Sequence, residues 1–283
     1  MRRNVIIVGP PRSGTSLASD VFARRGYYTG EGLRVGDDYN PFGYYEAEDL
    51  IAANVSLFES VEFPHHNTWK FDAITPTQVE AIGRILVQAE HRALLDHWNR
   101  HSPWMWKDPR FAITLGYWGQ LIDHDATGVI LTSRNPEDVY LSFRRKGWCD
   151  SGPDDRKRAI HMIEQHARNA RQQVDRLGLP HITIDYNEYH DAPTQVAARI
   201  SGFTRMIVSV SDLNFHTELD HSTGSGRLAG NIRVLLKKLP RGPLQKLARL
   251  VPASLQSMLI PERKFTAKSV GDVPDDVSQS KAA

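Results

Sequence analysis

The segment NVIIVGPPRSGTSL, residues 4–17, runs an apolar, β-branched strand into a loop bounded by Gly9 and Gly14, and the loop into a helix. Backbone N–H groups converge at such a helix N-terminus, where the macrodipole and the unpaired amides favour phosphate oxygens. Gly9 and Gly14 let the loop curl tightly, while Ser13, Thr15 and Ser16 add hydroxyl donors. The spacing is the G-x-x-x-x-G of phosphate loops, but Thr15 stands where those loops carry their Lys. The cation has moved to Arg12, whose guanidinium can fork onto two oxygens of a phosphate or sulfate. Loss of the Gly-Lys-Ser/Thr triplet speaks against a Mg-dependent triphosphatase.

A second stretch, GVILTSRNPEDVYLSFRR at residues 128–145, narrows the ligand. Its first residues have the continuous apolar character of a buried parallel strand, and Pro136 opens a helix. Arg134 sits at the strand end, and Ser142 follows a little over two helical turns later. A phosphate fits between an Arg and a Ser so placed.

Together the two stretches resemble the sulfotransferases that use 3'-phosphoadenosine 5'-phosphosulfate (PAPS). The family loop P-[KR]-S-G-T-[ST] reads PPRSGTS here, and the family's R-[DN]-P-x-D-x-x-x-S reads RNPEDVYLS. The resemblance implies that Pro11, Arg12, Ser13, Gly14, Thr15 and Ser16 hold the 5'-phosphosulfate, and that Arg134 and Ser142 hold the 3'-phosphate. PAPS is then the donor, PAP the product, and no metal is needed. A third segment, HITIDYNEYHDAPTQVAARISGF, looks like the family's strand, turn and helix, with Tyr186 near the adenine; a Tyr packed at a strand end reads equally well. Two departures stand out. Leu17 replaces the Trp that many cytosolic members place beside the nucleotide, and the R-K-G triplet is absent, leaving Ser225-Gly226-Arg227 as a loose equivalent with Arg227 as its cation.

Sulfuryl transfer needs a base for the acceptor hydroxyl and a cation for the leaving oxygen. Arg12 is the cation that stabilises the departing 5'-phosphate. For the base, Glu46 in NPFGYYE is the first choice, because some bacterial sulfotransferases use a Glu from this region; a helix-N-terminal carboxylate is the plain alternative. Many cytosolic relatives use a His from the region that here reads WKDPR. There Lys107 reads as a second cation near the sulfonate, and Asp108 as a rival base, as a residue that orients Lys107 or Arg110, or as half of a structural salt bridge. His65 and His66 are further alternatives. Trp69, Trp98, Trp104, Trp106, Trp118 and Trp148 are enough aromatics to floor a sugar or phenol site, although core packing explains most of them.

The elements that must position these groups follow from periodicity. Helices are expected over 14–25 and 47–61, with one long helix from about 77 to 100. Strands are expected at 104–107, from Gly128 and from His181. Strands alternating with helices predict a three-layer α/β/α fold with a central parallel sheet, in P-loop-like sulfotransferase form, with ligand at the strands' carboxyl ends. With 283 residues, 40% of them hydrophobic, the chain can bury one sizeable core, and one domain over 1–264 is expected with a disordered tail over 265–283. A single Cys149 suits a reducing compartment, and no apolar run approaches the ~18 residues that cross a bilayer; a cytoplasmic enzyme is expected. Residues 221–261 carry seven Lys or Arg and no acid. Leu244, Leu247, Val251, Leu255 and Met258 recur there at helical spacing, as in a basic amphipathic helix that either packs on the sheet or contacts an anionic membrane. A net charge of +2 argues against nucleic acid. The reading is sulfuryl transfer from PAPS to a hydroxyl of a small molecule, glycan or lipid. A nucleotide-dependent phosphotransferase and a non-catalytic nucleotide-binding scaffold are the alternatives.

Overall fold

β1 (Asn4–Val8) is apolar on both faces, as a strand must be when helices cover both sides of a sheet, and all five residues are buried. The structure, a computed structural model, describes residues 1–36, 40, 43–64 and 74–215. β1 pairs in parallel with β2 (Met105–Lys107) on one side and β3 (Thr127–Ser133) on the other. β4 (His181–Asp185) pairs in parallel with β3, giving the order β2-β1-β3-β4.

Side-chain alternation along β1 feeds two cores. Ile6 and Val8 join one with Leu50, Leu57, Trp98, Trp106 and Trp118, while Val5 and Ile7 join another with Val21, Phe22, Val196 and Ile200. The first core is covered by α2 (Glu48–Glu59), α3 (Pro76–Arg84), α4 (Ala89–Asn99), α5 (Phe111–Trp118) and α7 (Pro153–Leu177). The second is covered by α1 (Thr15–Arg24), α8 (Glu188–Asp191) and α9 (Pro193–Thr204). α6 (Pro136–Lys146) packs Val139, Tyr140 and Phe143 against Ala159, Met162 and Ile163 of α7. The fold is the expected three-layer α/β/α arrangement around a parallel sheet. From β1 the chain crosses to β2 on one side, and from β3 to β4 on the other, so the loops after β1 and β3 open a crevice between them.

The single helix expected over 77–100 is two, because Ile85 turns extended at ψ 132°. The Gln120 side chain donates to the carbonyls of Gly83 and Ile85, and Tyr117 Oη accepts from Gln88 N, so the break's backbone groups are satisfied by α5 and the residues after it. The tryptophans divide as well. Trp98, Trp104, Trp106 and Trp118 are core, with Trp104 and Trp106 stacked at 4.5 Å between ring centres. They floor no acceptor site.

The contacts divide the chain into Met1–Gly226 and Arg227–Ala283. Arg227, most of the basic segment and the tail belong to the second unit. That unit, residues 221–226, His65, His66 and Trp69 lie outside the described residues. No helix among the described residues is long and apolar enough to cross a membrane.

Beneath the carboxyl end of β2, Asn54 of α2 is fully buried. Its amide donates to Asp108 Oδ2 at 3.0 Å, and its Oδ1 accepts from Thr114 Oγ1 at 2.7 Å and Trp118 Nε1 at 2.9 Å. Asn54→Ala strands two buried groups, Asp108 Oδ2 and Trp118 Nε1, while Thr114 Oγ1 keeps the Arg110 carbonyl as an acceptor. At about 1 kcal/mol or more for each unmet group, a loss of ~2 kcal/mol or more in urea-unfolding free energy is expected.

Candidate anion-binding site

The register Val8↔Leu131 sets the loop after β1 against the last residues of β3. A Cβ on Gly9 would lie 2.2 Å from Thr132 Oγ1 and 2.5 Å from its carbonyl oxygen, so only glycine fits. Ser13 Oγ then reaches Thr132 Oγ1 at 2.7 Å. Arg12 adopts φ 71°, a left-handed conformation costly for a side-chain-bearing residue, and Gly14 caps α1 at φ 95°. A Cβ on Gly14 would lie 2.9 Å from the Tyr186 ring. The loop thus winds over the N-terminus of α1, whose first turn holds no acidic residue. Ser16 Oγ accepts from Asn40 Nδ2 at 3.1 Å.

Cations gather above this cradle. Arg12 Nε donates to Ser142 Oγ at 3.1 Å, joining the two motifs across 130 residues of chain. Arg134 Nη1 donates to the Arg12 carbonyl at 3.3 Å, and its guanidinium lies 3.8 Å from the centre of the Tyr186 ring. Arg145, one helical turn beyond Ser142, belongs to the same group. Burial and the positive charges of Arg134 and Arg12 lower its pKa to about 10, with Asp138 opposing. Sequence reasoning stopped at Ser142 and gave Arg145 no role. Its sequence signal, a basic residue three positions after Ser142 and so on the same helix face, was masked by the usual basic last turn of a helix.

On the β2 side, Lys107 Nζ donates to Glu46 Oε1 at 2.5 Å with both side chains buried, and Arg34 reaches Glu46 Oε2 at 3.6 Å. Tyr44 lines this pair, with Arg34 5.2 Å, Lys107 5.8 Å and Lys146 4.9 Å from its ring centre. Asp108 is elsewhere. Its Oδ1 accepts from the backbone and guanidinium of Arg110, both at 2.9 Å, its Oδ2 accepts from Asn54, and it is fully enclosed. Of its three readings, orienting Arg110 within a structural ion pair matches this placement, and proton transfer does not. Leu17 packs into the α1-side core.

The residues so assembled suit a multiply charged anion: three guanidiniums, the hydroxyls of Ser13 and Ser142, and a helix N-terminus. Among the described residues, no group of three or more His, Cys, Asp or Glu could hold a metal ion.

No protein-family model matches the chain, and no curated protein matches its sequence. Among solved structures, it is similar to the sulfotransferase domain of the olefin synthase of Synechococcus PCC 7002 (TM-score 0.44, 16% identity, 80% of this chain and 82% of that one). It is also similar to the sulfotransferase domain from the curacin biosynthetic pathway (TM-score 0.41, 13% identity, 88% and 97%).

His166 of α7 lies under the cradle, against the carbonyls of Pro109 and Gly9. Burial lowers its pKa from 6.5 to about 4, and those carbonyls only partly oppose the shift. Between these values the unfolded chain binds a proton that the folded protein does not, so stability rises with pH across the window and falls as pH drops through it. A loss of ~3 kcal/mol between pH 6.5 and 4 is expected from this group, at about 1.4 kcal/mol per pH unit. Chemical denaturation across that range checks it, and His166→Gln should flatten the dependence by that amount.

Proposed function

We propose that the protein transfers a sulfuryl group from PAPS to an acceptor hydroxyl. The observation that carries this reading is the 3.1 Å contact between Arg12 and Ser142, which unites two motifs that the family resemblance assigns to the two ends of one nucleotide. Arg134, Ser142 and Arg145 would take the 3'-phosphate, and Tyr186 would border the adenine. The loop amides, Ser13, Thr15 and Ser16 would take the 5' side, where PAPS supplies an activated sulfuryl group.

Glu46 accepts the proton of the acceptor hydroxyl as the acceptor oxygen bonds to sulfur. The bond from sulfur to the bridging oxygen breaks, and its electron pair remains on the 5'-phosphate. Arg12, at the turn between the cradle and Ser142, stabilises that growing charge. Lys107 donates to the Glu46 carboxylate and so aims it. The burial of Glu46 excludes competing water from the base.

Calorimetric titration with 3',5'-adenosine bisphosphate and with ATP plus Mg, side by side, tests the reading. Tight binding of the bisphosphate alone is expected; preference for Mg-ATP would make the protein a phosphotransferase. Arg134→Ala and Arg145→Ala should each weaken the bisphosphate about tenfold or more, ~1.4 kcal/mol per decade, and adenosine 5'-phosphate much less. Glu46→Gln should cut turnover at least 100-fold, within the usual range for a lost general base, with bisphosphate affinity nearly intact. An unchanged rate removes Glu46 as the base.

A further inference from the structure

Glu46 is held from a direction that its ion pairs do not explain. The preceding residue, Tyr45, has φ 55°, a conformation rare for an aromatic side chain and strained unless the surroundings enforce it. The enforcing contact is a 2.6 Å hydrogen bond from Tyr45 Oη to Asp20 Oδ1. Asp20 projects from α1, the helix that carries the anion cradle at its other end, and is only 6% exposed. Its second oxygen accepts from Asn214 Nδ2 at 2.9 Å and pairs with Arg24 Nε at 3.0 Å, so the carboxylate cannot swing away. Burial and the Asp20 carboxylate both push the Tyr45 hydroxyl's pKa upward, which keeps it a donor.

On its other side Glu46 is pinned by its own backbone. Arg34 N donates to the Glu46 carbonyl at 2.8 Å, and Leu33 bridges Ala47 antiparallel. These contacts fix the chain after the turn. The Tyr45 hydroxyl ties the turn itself to α1, beside the Asn40–Gly43 hydrogen bonds and the bond from Lys146 to the Tyr44 hydroxyl. Neither Asp20 nor Tyr45 touches the cations of the cradle.

We propose that Asp20 and Tyr45 are positioning residues that act through Glu46: the buried carboxylate of the cradle helix holds the strained turn which aims the base. The inference rests on reading Glu46 as the base. It makes the anion cradle and the base one rigid unit, because both hang from α1.

The test uses full-length protein and radiolabelled PAPS, with sulfate release to water and transfer to a panel of phenols and alcohols as readouts. Tyr45→Phe removes one oxygen and should lower kcat about tenfold or more, while the 3',5'-adenosine bisphosphate dissociation constant stays within about twofold. Asp20→Asn, which keeps the shape and weakens the same bond, should also lower kcat. In the Glu46→Gln background Tyr45→Phe should add no further loss, since residues acting through one group are not additive. Tyr45→Phe at the wild-type rate, alongside a disabled Glu46→Gln, overturns the positioning inference alone, as does a further loss in the double variant. Variants that lose thermal stability and bisphosphate affinity together, with kcat preserved in the bound fraction, also overturn it and mark the contact as structural. Glu46→Gln at full rate overturns the base reading beneath it.

Discussion

The pairing register of β1 with β3 is the constraint on which the site depends. Val8 opposite Leu131 sets Gly9 beside Thr132, so close that no Cβ can stand between them. A slip of one residue would turn every side chain of the strand to the opposite core, exchanging Ile6 and Val8 for Val5 and Ile7. With the register fixed, the loops that follow the two strands leave the sheet at one place. Ser13 reaches Thr132, Arg12 reaches Ser142, and Arg134 reaches back to the Arg12 carbonyl. The site is a consequence of parallel strand pairing rather than of either loop alone.

That convergence has an electrostatic cost which the folded chain bears continuously. Arg12, Arg134 and Arg145 lie near enough for the first two to lower the pKa of the third. Like charges in a partly dry region repel by energies that surface screening does not cancel. The aromatic face of Tyr186 takes part of the load from Arg134, and Asp138 part from Arg145. The left-handed Arg12 adds backbone strain at the same place.

The cradle and the strand–Arg–helix–Ser unit were legible because each is a local pattern in which glycine, proline and cap positions carry a geometric meaning. Pro136 and Asn135 do open α6, with Asn135 Oδ1 accepting from Glu137 N. What local patterns could not carry is contact between distant segments. The break between α3 and α4 is dictated by Gln120 and Tyr117 from beyond β2, which no window over 77–100 contains. Asp20 is the acceptor for Tyr45 and Asn214, 25 and 194 residues away, which no window around α1 contains. Arg145 was hidden for the opposite reason: a basic residue in a helix's last turn has an adequate local explanation and asks for no other.

The W-K-D-P-R segment shows how strand alternation separates two ion pairs that sequence cannot tell apart. Trp106 faces the core of α4 and α5, and Met105 the core of α1. Lys107, two residues beyond Met105, shares its direction and meets Glu46, whose neighbour Tyr45 packs on that same core. Asp108 follows the parity of Trp106 and turns toward Asn54 of α2. A buried carboxylate with every oxygen engaged is held by neighbours that it cannot leave, which suits a structural anchor. Glu46 differs in that its two cations come from separate segments, Lys107 from the end of β2 and Arg34 from the chain between α1 and α2. A buried ion pair contributes little net stability, because desolvation offsets its attraction. The fold therefore gains little from the Lys107–Glu46 pair itself.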